Sequence, residues 1–471
     1  MKRLKRYRRN ILRLFIIAQL CFFQTALFSQ SEKMSLEDAI KYALENTNST
    51  KVSLLGIKDA DLAIQQGKAI AKPQITASSN YNYFLLTPQS VIPDFISPTV
   101  YGVLNTEGIK DGNGNVVQQK APGAGVSASF VLKNQFSIGA QVSQLLYSAS
   151  YKTGLKAIDL SQELALKQVS SKNMEVRNQV IDAYMPALLI TETAKTLDKN
   201  IKNLESLFKD LKATYKAGFI EQLDVDRIEL SISNLRTERE NIDRNKELVL
   251  NGLKMVMGYP LDKNLEPTDD INSLMPKATD IELTGAIDFK NRADYNVLTS
   301  SEKLTALNID LNKAAYMPTV AGFASFTENL NSNNYFTQQV YSQPQSVIGV
   351  TASINLWDGF ATKTKIERAS LALKQLQLQK ADFERGITLQ VMNARLAYIN
   401  AVKRLENQNK NLALAERIFD TTNKKYKGGV GSTLEITTAE QQLYTAQQNV
   451  RQAQYDIIVT YKSIQKALGS N

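Results

Sequence analysis

Two periodicities alternate along the chain, and the alternation occurs twice. From Val176 the apolar positions Val180, Ala183, Ala187, Ile190, Ala194, Leu197, Ile201, Leu204, Phe208, Leu211 and Tyr215 follow at intervals of four and three, the spacing of a helix that packs along a narrow seam. Past Gly218 a return seam runs through Ile228, Ile232, Leu235, Ile242, Val249, Leu253 and Val256. The second occurrence runs out through Ile387, Val391, Ala394, Tyr398, Ala401, Leu405, Leu412, Ala415, Phe419 and Tyr426, then back through Leu443, Ala446, Val450, Ala453, Ile457 and Ile464. Each occurrence predicts a helix out, a glycine turn and a helix back. The first outward segment, from about Tyr147 to Tyr215, reaches roughly 100 Å at 1.5 Å per residue. A stripe that narrow on a helix that long must be buried against neighbouring helices.

An Ala-rich helical pattern precedes each hairpin and stops at a proline: Leu36 to Ala71 before Pro73, and Ala293 to Tyr316 before Pro318. Proline lacks the amide donor and pushes its predecessor out of the helical region. Beyond the stops the period changes to two. Ile75, Ala77, Ser79, Tyr81 and Tyr83 alternate with Thr76, Ser78, Asn80 and Asn82, and Phe136, Ile138, Ala140 and Val142 with Ser137, Gly139, Gln141 and Ser143. Ile348, Val350, Ala352, Ile354 and Leu356 alternate with Gly349, Thr351, Ser353 and Asn355, while Thr319 to Thr327 alternates less cleanly. Strands with one apolar and one small polar face suit a transmembrane barrel with a wet lumen. The same pattern suits a soluble sandwich that packs its apolar face inward. Tyr83, Phe84, Tyr147 and Trp357 fall near strand ends, where an interfacial girdle would place aromatics, although Trp357 also suits ordinary packing. Thr87 to Gly125, Leu330 to Gln345 and Tyr259 to Thr284 read as polar or proline-rich connections.

The duplication is visible residue by residue. Tyr215-Lys216-Ala217-Gly218 recurs as Tyr426-Lys427-Gly428-Gly429; the same shift pairs Leu223 with Leu434, Asp224 with Glu435 and Gly258 with Gly469. One offset held over that distance marks a duplicated structural unit. The chain divides accordingly into 1–30, a first repeat 31–258 (helix, two strands, long helical hairpin), a connection 259–284 and a second repeat 285–469.

Charge modifies this picture only at the N-terminus. The 56 Lys and Arg exceed 46 Asp and Glu by ten, but seven of the bases lie before residue 14; without them 49 bases face 46 acids. The remainder lacks the basic surface that nucleic acid requires. The basic stretch, the apolar Leu14 to Phe23 and the small or polar Gln24, Thr25, Ala26, Ser29 and Gln30 have the three-part order of a secretory signal. No later segment approaches 18 consecutive apolar residues, so export to a membrane would depend on strands.

The chain has no histidine, and its one cysteine, Cys21, lies in the signal. Ser-His-Asp and Cys-His triads, His-ligated zinc and CxxC sites are therefore excluded. Ser206, Ser300 and Ser463 each begin an S-x-x-K and Lys152-Thr153-Gly154 spells K-T-G, but K-T-G precedes all three and no S-D-N exists. The reading is a non-enzyme without metal or cofactor.

The ordered repeat, with Leu36-Glu37-Asp38-Ala39-Ile40 at its opening, Leu356-Trp357-Asp358-Gly359 after a strand, and Tyr426-Lys427-Gly428-Gly429 followed by Leu434-Glu435, resembles the TolC-type outer-membrane efflux protein family. The resemblance implies a mostly α fold with transmembrane β: long antiparallel coiled-coil hairpins forming a helical barrel, and four strands per protomer of a shared trimeric outer-membrane β-barrel. It implies a passive efflux or type I secretion channel in a Gram-negative-type outer membrane with a large periplasmic part. Its partners would be two further copies, a periplasmic adaptor, an inner-membrane pump and outer-membrane lipid. It places Tyr215, Gly218, Leu223, Tyr426, Gly429 and Leu434 at a periplasmic tip where the adaptor docks, and Asp224 and Glu435 at an acidic pore constriction. The sequence departs from the best-known member at Gly431, where that member has a base, and at Thr438, where it has a further acid. Each residue also has a plainer role: glycines for positive φ, carboxylates for the start of a helix, and tyrosines for the seam. An exported coiled-coil structural or adhesion protein without a pore is the alternative.

Overall fold

The computed structural model describes residues 32–276 and 285–470; the stretch read from the sequence as a secretory signal, and positions 277–284 of the connection, lie outside the described residues. The chain forms two compact units. One comprises the residues up to Leu62, Ala157–Leu307 and those from Arg368 on; the other comprises Ala63–Lys156 and Asn308–Glu367.

The first unit is helical. It contains α1 (Leu36–Asn46) and most of α2 (Asn48–Ala69), α4 (Ala149–Lys216), α6 (Ala293–Ala314) and α7 (Ala361–Lys427), with all of α5 (Gln222–Met257) and α8 (Thr433–Leu468). The expected seam is the buried one: Val176, Val180, Ala187, Leu197, Leu204 and Leu211 of α4 are all under a tenth exposed, as are Ile228, Ile232 and Leu253 of α5. At 68 residues α4 is the length the pattern predicts. The single helix expected over Leu36 to Ala71 is broken. Thr47 adopts φ −66, ψ 138, and its hydroxyl shares a 2.8 Å hydrogen bond with that of Thr50. A β-branched hydroxyl residue offers the backbone this alternative to the helix.

The connection after Gly258 is irregular but belongs to the core. β1 (Glu32–Met34) pairs in parallel with β6 (Leu265–Pro267), and Ile271 is fully buried beside Leu188, Leu253, Met257 and Ile458. Tyr184 donates to Met34 O (3.0 Å) and Asp269 Oδ2 (2.8 Å), and that carboxylate also accepts the Leu36 amide at 2.7 Å. Burial first, then this carboxylate, pushes the Tyr184 phenol far above its ordinary value. These bonds satisfy the amide that starts α1 and fix the connection to the helices.

The second unit carries an antiparallel sheet ordered β2 (Gln74–Tyr83), β5 (Asn134–Ser148), β7 (Thr319–Ser332), β8 (Tyr341–Ser353). Its register gathers Ile75, Val142, Ala324 and Ile348 into one cross-sheet row, with Ala77, Ala140 and Phe326 next and Tyr81, Phe136 and Leu330 beyond. The opposite face presents Thr76, Gln141 and Ser325, then Ser78, Gly139 and Thr327, then Asn80, Ser137 and Asn329. The apolar face is not packed inside: Ile75 is 74 % exposed and Ile348 87 %. Within the described residues this removes the sandwich reading. β7 alternates poorly for a local reason. Phe323 sits on the polar face, where its ring occupies the space a side chain at Gly349 would need, 2.9 Å from an added Cβ.

Two connections hold more structure than expected. Thr87 to Gly125 contains α3 (Ile96–Thr106) and, with the residues just after it, the short pair β3 (Ser90–Ile92) and β4 (Val126–Ala128). Asp94 binds the loop together by accepting the amides of Ser97 (2.9 Å) and Gly123 (3.1 Å). In Leu330 to Gln345 both strands continue, pairing Leu330 with Ser342, so only the stretch 333–340 is left as a turn. Conversely β8 ends at Ser353, leaving Ile354, Leu356 and Trp357 outside it and exposed.

Candidate functional site

Both helical hairpins turn by the same backbone device. After α4, Phe219 N–H donates to Thr214 O (3.2 Å) and Gly218 N–H to Tyr215 O (2.9 Å); after α7, Val430 N–H donates to Lys425 O and Gly429 N–H to Tyr426 O, both at 3.0 Å. This crossed pair of bonds closes the last carbonyls of a helix and needs a left-handed residue at its centre. Gly218 at φ +81 and Gly429 at φ +75 supply it. Each turn leaves an apolar residue in solvent, Phe219 at 81 % and Val430 at 82 % exposure.

The return helices begin differently. Ser432 caps α8, its hydroxyl accepting the Glu435 amide at 3.2 Å. Glu221 precedes α5 with no side-chain cap, and Asp224 in the first turn lies 3.9 Å from Arg227. Asp224 and Glu435 thus both occupy first-turn positions favoured by the helix dipole. Asp224 is half-buried, Glu435 exposed, and Leu223 and Leu434 are both about half exposed.

The two turn tyrosines are not equivalent. Tyr215 remains exposed. Tyr426 packs on the cluster of Leu204, Leu211, Ile228 and Ile232 that fills the first hairpin. Burial raises its phenol above the ordinary value, and the carboxylates of Asp224 and Asp210 add to the rise against the opposing bond with Thr433. Tyr426 therefore joins the hairpins, with Asp224 close enough to act on it.

The two departures from the family pattern have geometric readings. A Cβ at Gly431 would lie 2.9 Å from Tyr426 N and 3.1 Å from Tyr426 Cα, so the turn folds directly against the end of α7. Thr438 turns its hydroxyl back to Leu434 O at 2.8 Å. Neither position carries charge.

The sequence reading missed Glu440. It is 6 % exposed on α8, in register with Ile436 and Ala439 along the buried stripe. Burial alone pushes its carboxyl up to about 7. A charge three to four residues along an apolar seam was the available signal.

Residues 292–470 match the family model described as outer membrane efflux protein. The chain is 18 % identical to the proteases secretion protein PrtF of Dickeya chrysanthemi, over 65 % of this chain and 67 % of that one. It is 20 % identical to the outer membrane protein TolC of Salmonella enteritidis, over 73 % and 71 %. Among solved structures, the outer membrane protein VceC of Vibrio cholerae superposes with a TM-score of 0.65 at 14 % identity, covering 93 % of this chain and 96 % of that one. CusC superposes at 0.68, with 14 % identity and 94 % and 93 % coverage. Over residues 292–470 the chain is thus similar to the outer membrane efflux proteins, and over more than nine tenths of its length it shares the fold of VceC and CusC.

Proposed function

We propose that the protein is a passive outer-membrane channel of a tripartite efflux or type I secretion system, through which cargo leaves the periplasm or an inner-membrane pump for the exterior. One observation carries this reading. The four-stranded sheet exposes a largely apolar face on one side, interrupted by Ser79 and Glu328 in the row of Ile138, and mostly small polar residues on the other, and its outer strands β2 and β8 each have one unpaired edge. Lipid does not tolerate open edges, and four strands cannot close on themselves. Three copies pairing β2 of one with β8 of the next satisfy both conditions, the apolar faces meeting lipid and the polar faces lining water. The hairpins of the three copies form a hollow helical assembly. Exposed leucines along α7, among them Leu371, Leu378, Leu389 and Leu396, provide surface for contact between copies.

The pump and a periplasmic adaptor supply energy and contact. The paired turns at Gly218 and Gly429, with Tyr215, Tyr426, Leu223 and Leu434, form the docking tip, and Asp224 and Glu435 contribute to the acidic constriction. Opening is a rearrangement of hairpins held by contacts such as Tyr426 on the first hairpin.

Purified protein is expected to run as a trimer in detergent and to give discrete conductance steps in planar bilayers. A monomer soluble without detergent overturns the channel. Replacing Asp224 and Glu435 by Ala is expected to reduce cation selectivity; unchanged selectivity removes the constriction.

A further inference from the structure

Glu440 is anomalous among the acids of this chain. Carboxylates buried to this degree are nearly always paired, yet none of the described residues gives Glu440 a hydrogen bond or ion pair, and burial is the one cause of its raised titration. The side chain lines a cavity of about 400 Å³ within the helical unit, between the first hairpin and α8. Leu204 of α4 and Leu230 and Leu235 of α5 give the cavity an apolar wall. Its other charged groups, Arg227 and Glu238, come from α5 and are engaged: Arg227 lies 3.9 Å from Asp224, and Glu238 accepts the Tyr444 hydroxyl at 3.2 Å. The cavity, open to solvent, thus pairs an apolar wall with one carboxylate that none of the described protein groups pairs and whose oxygens face the cavity.

We propose that this cavity is a binding site for a small organic ammonium ion, whose charged head bonds to Glu440 while its hydrocarbon body lies against Leu204, Leu230 and Leu235. An ammonium supplies the donors and opposite charge that the buried carboxylate lacks, in surroundings where such a bond is stronger than in water. An aliphatic or aromatic body fills the volume better than water does. Bare metal ions do not suit the site, since hard cations require several oxygen ligands and only one free carboxylate is present. The proposal goes beyond conduction and does not depend on it: a chain that conducts but fails the test below loses only this site.

The test is isothermal titration of the full chain in detergent with phenethylammonium chloride, and with neutral 2-phenylethanol as a matched control. At pH 8 the ammonium is expected to bind saturably, one per chain, and the alcohol not to saturate. Because the free carboxyl titrates at about 7, affinity should fall about tenfold between pH 8 and pH 6 as the proton competes. Glu440→Gln should weaken binding at least tenfold and remove the pH dependence; Glu440→Asp, which keeps the charge, should keep that dependence. Equal binding of the alcohol, equal binding to Glu440→Gln, or no saturable binding at pH 8 overturns the site. The alcohol comparison needs no variant, so a substitution that disturbs the hairpin leaves the test standing.

Discussion

A side chain at position 431 and the observed position of Tyr426 are incompatible, because the added Cβ would meet the α7 backbone at 2.9 to 3.1 Å. Gly431→Arg is therefore expected to displace the second turn, read as faster amide exchange and protease cleavage around 425–433. Gly429→Ala should act through strain instead, at about 1–2 kcal/mol for a left-handed alanine, or roughly tenfold faster exchange at the turn amides. Glu440 bears on stability with a definite sign. Its folded titration point, about 7, lies above the unfolded one near 4.3. The stability it contributes is complete below about pH 4.3 and is lost as the pH rises through 7. Glu440→Gln should consequently raise the melting temperature at pH 8 and leave it nearly unchanged at pH 4, as calorimetry at the two pH values would show. The turn glycines and first-turn acids were legible because backbone geometry demands those residue types at fixed offsets. The differing positions of Tyr215 and Tyr426 were not, since which tyrosine meets the other hairpin depends on three-dimensional packing.

Among the elements, the long helices were the most legible. A stripe sustained from Val176 to Tyr215 has no other way to be buried, and the structure buries it. The strands were legible where one face contacts nothing but small polar neighbours, and obscured in β7, where Phe323 fills the space above Gly349. The strand within the inter-repeat connection was not legible because it is long-range: β6 pairs with β1 across more than two hundred residues, and local composition carries no trace of it. The two sheet faces predict opposite tolerances. Ile348→Arg puts a charge on the apolar face and should cost about 2–4 kcal/mol at mid-bilayer depth, seen as loss of heat-resistant oligomer in detergent. Thr351→Arg, on the opposite face, should assemble normally and change conductance instead.

At the scale of the molecule, the decisive quantity is what one copy leaves unsatisfied. Cutting α4 and α5 back together by whole helical turns, while retaining the 218 turn, should preserve the sheet and abolish adaptor-dependent export, measured as cargo retained in cells with normal surface levels of protein. On the proposed function, export through a pump and adaptor depends on the tip, and membrane residence on the sheet.

The unpaired margins of β2 and β8 also bear on biogenesis. Until its siblings arrive, each newly exported polypeptide offers two free ladders that any extended chain can zip onto, including another copy in the wrong register. Folding and oligomerisation are then a single kinetic race, so overproduction should yield insoluble aggregates, paired edge to edge, rather than surplus channels.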